Sequence, residues 1–292
     1  MSDTRVPSRV FPRAKQDADA AAHNIATPQT ESPAYRLAFQ DMDFLLREDL
    51  RPVRFQLELL KTQLLLDEAH IGSTFVFYGS ARIPEPDKAQ ALLDMATDEK
   101  SRRIAERLVA KSKYYDMARE LAQLCSNFPR DEAGRRHFVV CSGGGPSIME
   151  AANRGAADVH AESIGLNIVL PHEQAPNPYV TPSLSTQFHY FALRKMHFLL
   201  HARALAAFPG GFGTFDELFE LLTLVQTGKV EPIPVLLFGR EFWERVVNFE
   251  ALVEEGVVSE RDLAIFRYVD SAAEGWAVVQ DFYRARAEQA AR

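Results

Sequence analysis

The chain has 292 residues, 47% of them hydrophobic and 25% charged, enough to bury one large α/β core or two smaller ones. A net charge of −7 argues against a general nucleic-acid binder but leaves room for a local pocket that takes a small phosphorylated ligand. No apolar run approaches the length of a membrane span. The two cysteines, Cys125 and Cys141, have neither CxxC nor metal-ligand spacing, which fits a reduced, cytoplasmic protein with two buried thiols.

Residues 1–33 are polar and aperiodic and read as a disordered tail. Arg5, Arg9, Arg13 and Lys15 are not followed by the hydrophobic stretch of a secretory signal. Residues 34–70 read as an N-terminal helical extension, with helical patterning from Tyr35 to Leu50 and from Pro52 to Ala69. Val53, Leu57, Leu60 and Leu64 form an apolar stripe in the second helix. That stripe suits either a lid on the main domain or a subunit contact.

Residues 71–292 alternate strand and helix signals. Strands are expected at Thr74–Tyr78, His137–Cys141, Ser163–Leu170, Ala204–Phe208 and Ile233–Phe238. Helices are expected near 101–127, 146–158, 190–202, 214–227, 241–254 and 271–286. This order predicts an α/β domain: a Rossmann-like, doubly wound parallel sheet with helices on both faces. Ligands of such sheets bind at the carboxyl ends of the strands. Three glycine segments fall there: Gly79-Ser80, Gly143-Gly144-Gly145 and Gly210-Gly211-Phe212-Gly213. Their co-location predicts that they build one site.

The segment Pro209–Glu217 reads Pro-Gly-Gly-Phe-Gly-Thr-Phe-Asp-Glu after the apolar run Ala204–Phe208. A strand running through glycines into a helix start offers backbone N–H groups to a phosphate. Thr214 and Glu217 stand at capping-box spacing, which would stabilise the helix without any chemistry. A carboxylate beside a bound sugar phosphate allows catalysis as well. Upstream, Gly143–Gly145 run into Pro146, which suits a first helical position, and three consecutive glycines exceed the needs of a turn. No third glycine completes a dinucleotide fingerprint and no Gly-Lys-Ser/Thr closes a loop, so the pattern points away from NAD and ATP chemistry. Arg194 and Lys195 are adjacent cations at a helix start, where the dipole disfavours them; Arg194 could clamp a phosphate or hydroxyl. His172 and His189 lack partners at metal spacing and read as structural.

Together these segments resemble the Lonely Guy family of phosphoribohydrolases, also labelled "possible lysine decarboxylase", whose Pro-Gly-Gly-x-Gly-Thr-x-x-Glu signature residues 209–217 match in full. The likeness also takes in Gly79-Ser80, Gly143–Ala156, Arg194-Lys195, Thr223 and Gln226. It runs over about residues 71–255, and the Gly-Gly-Gly-Pro-x-Ile-Met-Glu stretch resembles a bacterial branch. The resemblance implies hydrolysis of the N-glycosidic bond of AMP or an N6-modified AMP, as in cytokinin precursors, to free base and ribose 5-phosphate. Arg194 and Glu217 fall on the catalytic positions. Lys195, Gly211–Thr214 and Thr223 fall on binding positions, beside Gly79, Ser80, Gly143, Gly144, Gly145 and Gly210 from the glycine segments. It implies a homodimer or larger homo-oligomer, with no nucleic acid and no membrane. No metal constellation is visible, and no lysine stands out as the Schiff-base residue that pyridoxal phosphate would need, so no cofactor is expected. The alternative is a non-catalytic nucleotide or phosphorylated-ligand carrier on the same scaffold.

Overall fold

The computed structural model describes residues 11–171 and 175–290. The chain forms two compact units, Met1–Glu58 and Leu59–Arg292. In the first, α1 (Ala14–Ala21) and α2 (Met42–Leu45) are joined by short 3-10 turns, and α3 (Arg51–Glu68) begins. Residues 14–21, expected to be disordered, are therefore helical. The expected helix from Tyr35 to Leu50 is broken into pieces. Asp41 accepts the Phe44 N–H at 3.2 Å and so starts a new helix rather than continuing one. The unit boundary falls inside α3, not at residue 70.

The second unit is an all-parallel seven-stranded sheet in the order β4-β3-β2-β1-β5-β6-β7. The strands are β1 (Thr74–Tyr78), β2 (Val139–Ser142), β3 (Ile164–Ile168), β4 (Ser185–Phe188), β5 (Ala202–Ala207), β6 (Val235–Phe238) and β7 (Phe266–Val269). The helices are α4 (Pro86–Asp94), α5 (Glu99–Ser126), α6 (Ile148–Asp158), α7 (Phe191–Leu200), α8 (Phe212–Gln226), α9 (Arg240–Val246), α10 (Phe249–Glu254) and α11 (Ala272–Ala290). The expected helix over 241–254 is two, because Asn248 caps α10 by accepting the Ala251 N–H at 3.0 Å. The helix expected from residue 146 begins instead at Ile148. Ser147, at φ +64°, holds the turn before it, a backbone state that costs an ordinary residue about 1–3 kcal/mol.

The five central strands were legible as apolar runs because strands covered on both faces need no polar alternation. On one face, Phe75 and Phe77 of β1 pack into a cluster with Tyr115, Leu121, Ile148 and Trp276 from α5, α6 and α11. On the other, Tyr78 meets Phe198 of α7 edge-on at 5.2 Å. Phe77, Phe208 and Phe238 stack in series at 6.4 and 4.3 Å, fastening β1, β5 and β6 below the carboxyl edge. Each such buried ring contributes roughly 1.5–3 kcal/mol by leaving water.

From β1 the chain winds outward through β2, β3 and β4, then returns to lay β5 on the opposite side of β1. The topological switch point therefore lies between β1 and β5. Two backbone bonds close it: Phe208 N–H donates to the Tyr78 carbonyl at 2.8 Å, and Ser80 N–H to the Pro209 carbonyl at 3.1 Å.

Candidate active site

A cavity of about 910 Å³ opens at this switch point. Gly79, Ser80, Arg194, Gly210, Gly211, Gly213, Thr214 and Glu217 all line it. The loops after β1 and β5 thus converge, as expected of a crevice beyond the strand ends. Helix α8 starts on the cavity wall with Gly211 as N-cap and Phe212 as its first residue. The N–H groups of its first turn have no intrahelical acceptor, and the helix dipole adds positive potential there.

The capping-box reading of Thr214 and Glu217 does not hold. Gly211 is the N-cap and has no side-chain cap bond, which places Thr214 within the first turn and Glu217 in the next. Glu217 is instead committed to Arg194, whose Nη2 donates to its Oε1 at 2.9 Å. Both side chains are largely buried, at 13% and 11% exposure. The guanidinium lies over the rings of Phe198 and Phe191 at 5.3 and 5.7 Å, and its Nε is buried without a hydrogen-bond partner among the described residues. The ion pair accounts for a cation near the start of α7. Burial pushes the Glu217 carboxyl up to about 7, with Arg194 opposing the shift. Tyr78 stands beneath the pair, its hydroxyl raised well above its ordinary value by burial and by the Glu217 charge.

Desolvating two charges is expensive, and a buried ion pair is often no more stabilising than an apolar pair of equal volume. A pair of this kind on a cavity wall, with the carboxyl poised near neutrality and a guanidinium donor unspent, is suited to proton and charge management on a ligand.

The other expected site residues do not all gather here. Lys195 pairs with Asp216, which is on the cavity wall, at 3.0 Å and with Glu220 at 3.1 Å, and does not itself line the cavity. Thr223 donates to the Phe219 carbonyl at 2.8 Å, a bond internal to α8, and is also outside the wall. Gly143, Gly144 and Gly145 lie behind the wall, where a Cβ on Gly143 would come 3.2 Å from Arg194 Nη2. Phe212 lies on the wall within the expected Gly211–Thr214 stretch, whereas sequence reasoning missed Ala81, Arg82, Met149, Phe191, Phe215, Asp216, Phe242 and Val246, which complete the lining. Arg82 carried a positional signal, following Gly79-Ser80 at the end of β1; Phe242 and Val246 come from α9 and carried none. His189 packs edge-on against Tyr190 at 4.5 Å, and His172 lies outside the described residues. No group of three His, Cys, Asp or Glu side chains is placed to hold a metal ion among the described residues.

Residues 149–279 match the family model described as "Possible lysine decarboxylase". The chain is 27% identical over 139 residues to the "Probable cytokinin riboside 5′-monophosphate phosphoribohydrolase" of Oryza sativa subsp. japonica, covering 47% of this chain and 59% of that protein. It is 31% identical over 121 residues to the "Pyrimidine/purine nucleotide 5′-monophosphate nucleosidase" of Escherichia coli K12, covering 37% of this chain and 26% of that one. The chain thus matches little more than half, and about a quarter, of these two relatives. Among solved structures, a Moco carrier protein from Chlamydomonas reinhardtii aligns at a TM-score of 0.42 and 17% identity, over 73% of this chain and 99% of that one.

Proposed function

We propose that this chain, related over residues 149–279 to the family described as "Possible lysine decarboxylase" and to the phosphoribohydrolases above, cleaves the N-glycosidic bond of a nucleoside 5′-monophosphate. AMP or an N6-modified AMP is the substrate, and free base and ribose 5-phosphate are the products. The observation that carries this reading is the buried Arg194–Glu217 pair on the wall of the switch-point cavity, beside the N-terminus of α8.

The 5′-phosphate sits against the first turn of α8 and the loop after β1, where helix N–H groups suit an anion. Its binding energy fixes the ribose over the ion pair, so nucleosides lacking the phosphate are poor substrates. The C1′–N bond breaks with its electron pair leaving on the base nitrogen, which takes up a proton, while a water oxygen bonds to C1′ and releases one. Positive charge develops on the ribose as the bond lengthens, and ionised Glu217 faces it, as carboxylates do in glycoside cleavage. Arg194 orients both Glu217 and the departing base through its donors. The same reading takes the enzyme to be a cytoplasmic homo-oligomer, supported by two buried free thiols and by the exposed Leu60 and Leu64 of α3.

The test is incubation with AMP, N6-modified AMP, GMP and pyrimidine nucleotides, following free base and ribose 5-phosphate by chromatography. Release of stoichiometric base and sugar phosphate supports the proposal. Saturable nucleotide binding with no release from any of them overturns it in favour of a carrier.

A further inference from the structure

Behind the cavity wall lies a buried polar network that the reaction described above does not use. Ser142, Asn153 and Ser163 are fully buried, and Asn177 is 8% exposed. Asn153 Oδ1 accepts from the Ser142 hydroxyl at 2.7 Å and from Asn177 Nδ2 at 2.9 Å, while its Nδ2 donates to Ser163 Oγ at 3.0 Å. Asn177 donates again through Nδ2 to the Gly145 carbonyl at 3.0 Å and through its backbone N–H to the Gly144 carbonyl at 2.8 Å. Ser142 Oγ accepts the Gly144 N–H at 3.0 Å. One amide and two carbonyls of the triple-glycine loop are therefore fixed by side chains and backbone from α6, β2 and the segment after β3.

Nothing about folding a parallel sheet requires this. An apolar filling of the same volume would leave the Gly144 N–H and the Gly145 carbonyl without their partners, so these side chains act as one set that satisfies this loop. The network's product is a loop held in one conformation. Gly144 sits at φ +71°, and a Cβ there would collide with the Asn167 side-chain amide at 2.3 Å. On the far side of the loop, Gly143 lies against the Arg194 guanidinium, close enough that a Cβ on it would stand 3.2 Å from Nη2. That same Nη2 makes the bond to Glu217. Because a trans peptide points its N–H opposite to its C=O, the Gly144 carbonyl held by Asn177 turns the Gly145 N–H the other way. This N–H has no hydrogen-bond partner among the described residues.

We infer that Asn177 is a positioning residue: its side-chain amide, donating to the Gly145 carbonyl and to Asn153, keeps Gly143 pressed against Arg194 and so fixes the guanidinium on Glu217. The inference rests on the function proposed above only for its kinetic readout. Its geometric readout is independent.

The test uses Asn177→Ala and Asn177→Asp in the full chain; the second keeps the shape and the Oδ1 acceptor but removes both Nδ2 donations. Three measurements are made on each: a thermal melt, kcat and KM for AMP, and the carboxyl titration of Glu217 by ¹³C NMR, assigned with Glu217→Gln. Glu217 faces Arg194, with Asp216, Lys195, Tyr78 and Cys141 around it; burial raises its midpoint most and the guanidinium is the main group opposing that rise, so loss of the Arg194 contact moves the midpoint further up. The expected result is a cooperative melt, kcat down at least tenfold, KM changed less than threefold, and a Glu217 midpoint moved upward as Arg194 loosens. A lowered melting temperature with unchanged kcat and unchanged midpoint overturns the inference and leaves Asn177 a structural residue. If wild type releases no base from any nucleotide, the proposed function fails, while the NMR midpoint still decides whether Asn177 positions Arg194.

Discussion

Ser80 and Pro209 join the two loops that flank the switch point: the Ser80 N–H donates to the Pro209 carbonyl at 3.1 Å, while Ser80 Oγ accepts the Arg82 N–H at 3.0 Å. One residue thus braces the glycine turn of β5 and directs the loop of β1 that carries Arg82. The guanidinium of Arg82 has no ion pair or hydrogen bond among the described residues, whereas the Arg194 charge is committed to Glu217. Arg82 is the cavity cation free to meet a phosphate dianion. Arg82→Ala is expected to raise KM for AMP about tenfold, near 1.4 kcal/mol, with kcat little changed. Slow cleavage of adenosine should be unaffected. A parallel loss on adenosine would remove Arg82 from phosphate recognition.

Glu217→Gln keeps the volume and an oxygen to accept from Arg194, so the fold and nucleotide binding should survive. Removing the charge that faces the developing ribosyl cation is expected to lower kcat by about 10²–10⁴-fold. Equilibrium binding of AMP by calorimetry should stay within a few-fold of wild type. Turnover equal to wild type would take Glu217 out of the reaction.

The pH dependence follows from the same carboxyl. Its folded value, about 7, lies above its ordinary 4.5, so the folded state holds this proton more tightly than the unfolded chain does. The stabilisation is complete below pH 4.5 and is lost as pH rises through 7, a change of roughly 3 kcal/mol. Urea melts from pH 5 to 8 should show that decline in wild type and a flatter profile in Glu217→Gln. Activity runs the opposite way, because the ionised form faces the cation. The kcat/KM of wild type is expected to rise through pH 7, and the residual activity of the variant should lack that limb.

How far the sequence carried these conclusions depends on burial. Thr74–Tyr78 is buried at all five positions, so its apolar run located β1 without error. β4 and β7 lie at the sheet edges with only part of their residues buried. Ser185–Phe188 and Phe266–Val269 therefore lack a continuous apolar run and are absent from the expected strands. Glu217 ends the Pro209–Glu217 signature and Arg194 stood out as a cation where the helix dipole disfavours one; the structure brings the two within one hydrogen bond. Lys195 and Thr223 stand near Arg194 and Glu217 in sequence, but Lys195 is taken up by the carboxylates of Asp216 and Glu220 and Thr223 by the Phe219 carbonyl, and neither lines the cavity. Asn177 joins a loop across 32 residues of chain, a relation that no spacing rule encodes.

The glycines of the signature separate a demand of the fold from a demand of the ligand. A Cβ on Gly210 would collide with Thr214 at 2.1 Å, so packing alone excludes a side chain there. A Cβ on Gly211 or Gly213 would meet nothing within 4 Å. Gly213 moreover lies inside α8, where alanine is the better helix former by up to about 1 kcal/mol. Nothing in the protein itself, then, accounts for glycine at 213, but an anion seated close to the first turn of the helix would. Gly213→Ala is expected to hold or raise the melting temperature while raising KM for AMP at least fivefold. Gly210→Ala should lower the melting temperature. If Gly213→Ala leaves KM untouched, the open space beside that glycine is not where the phosphate binds.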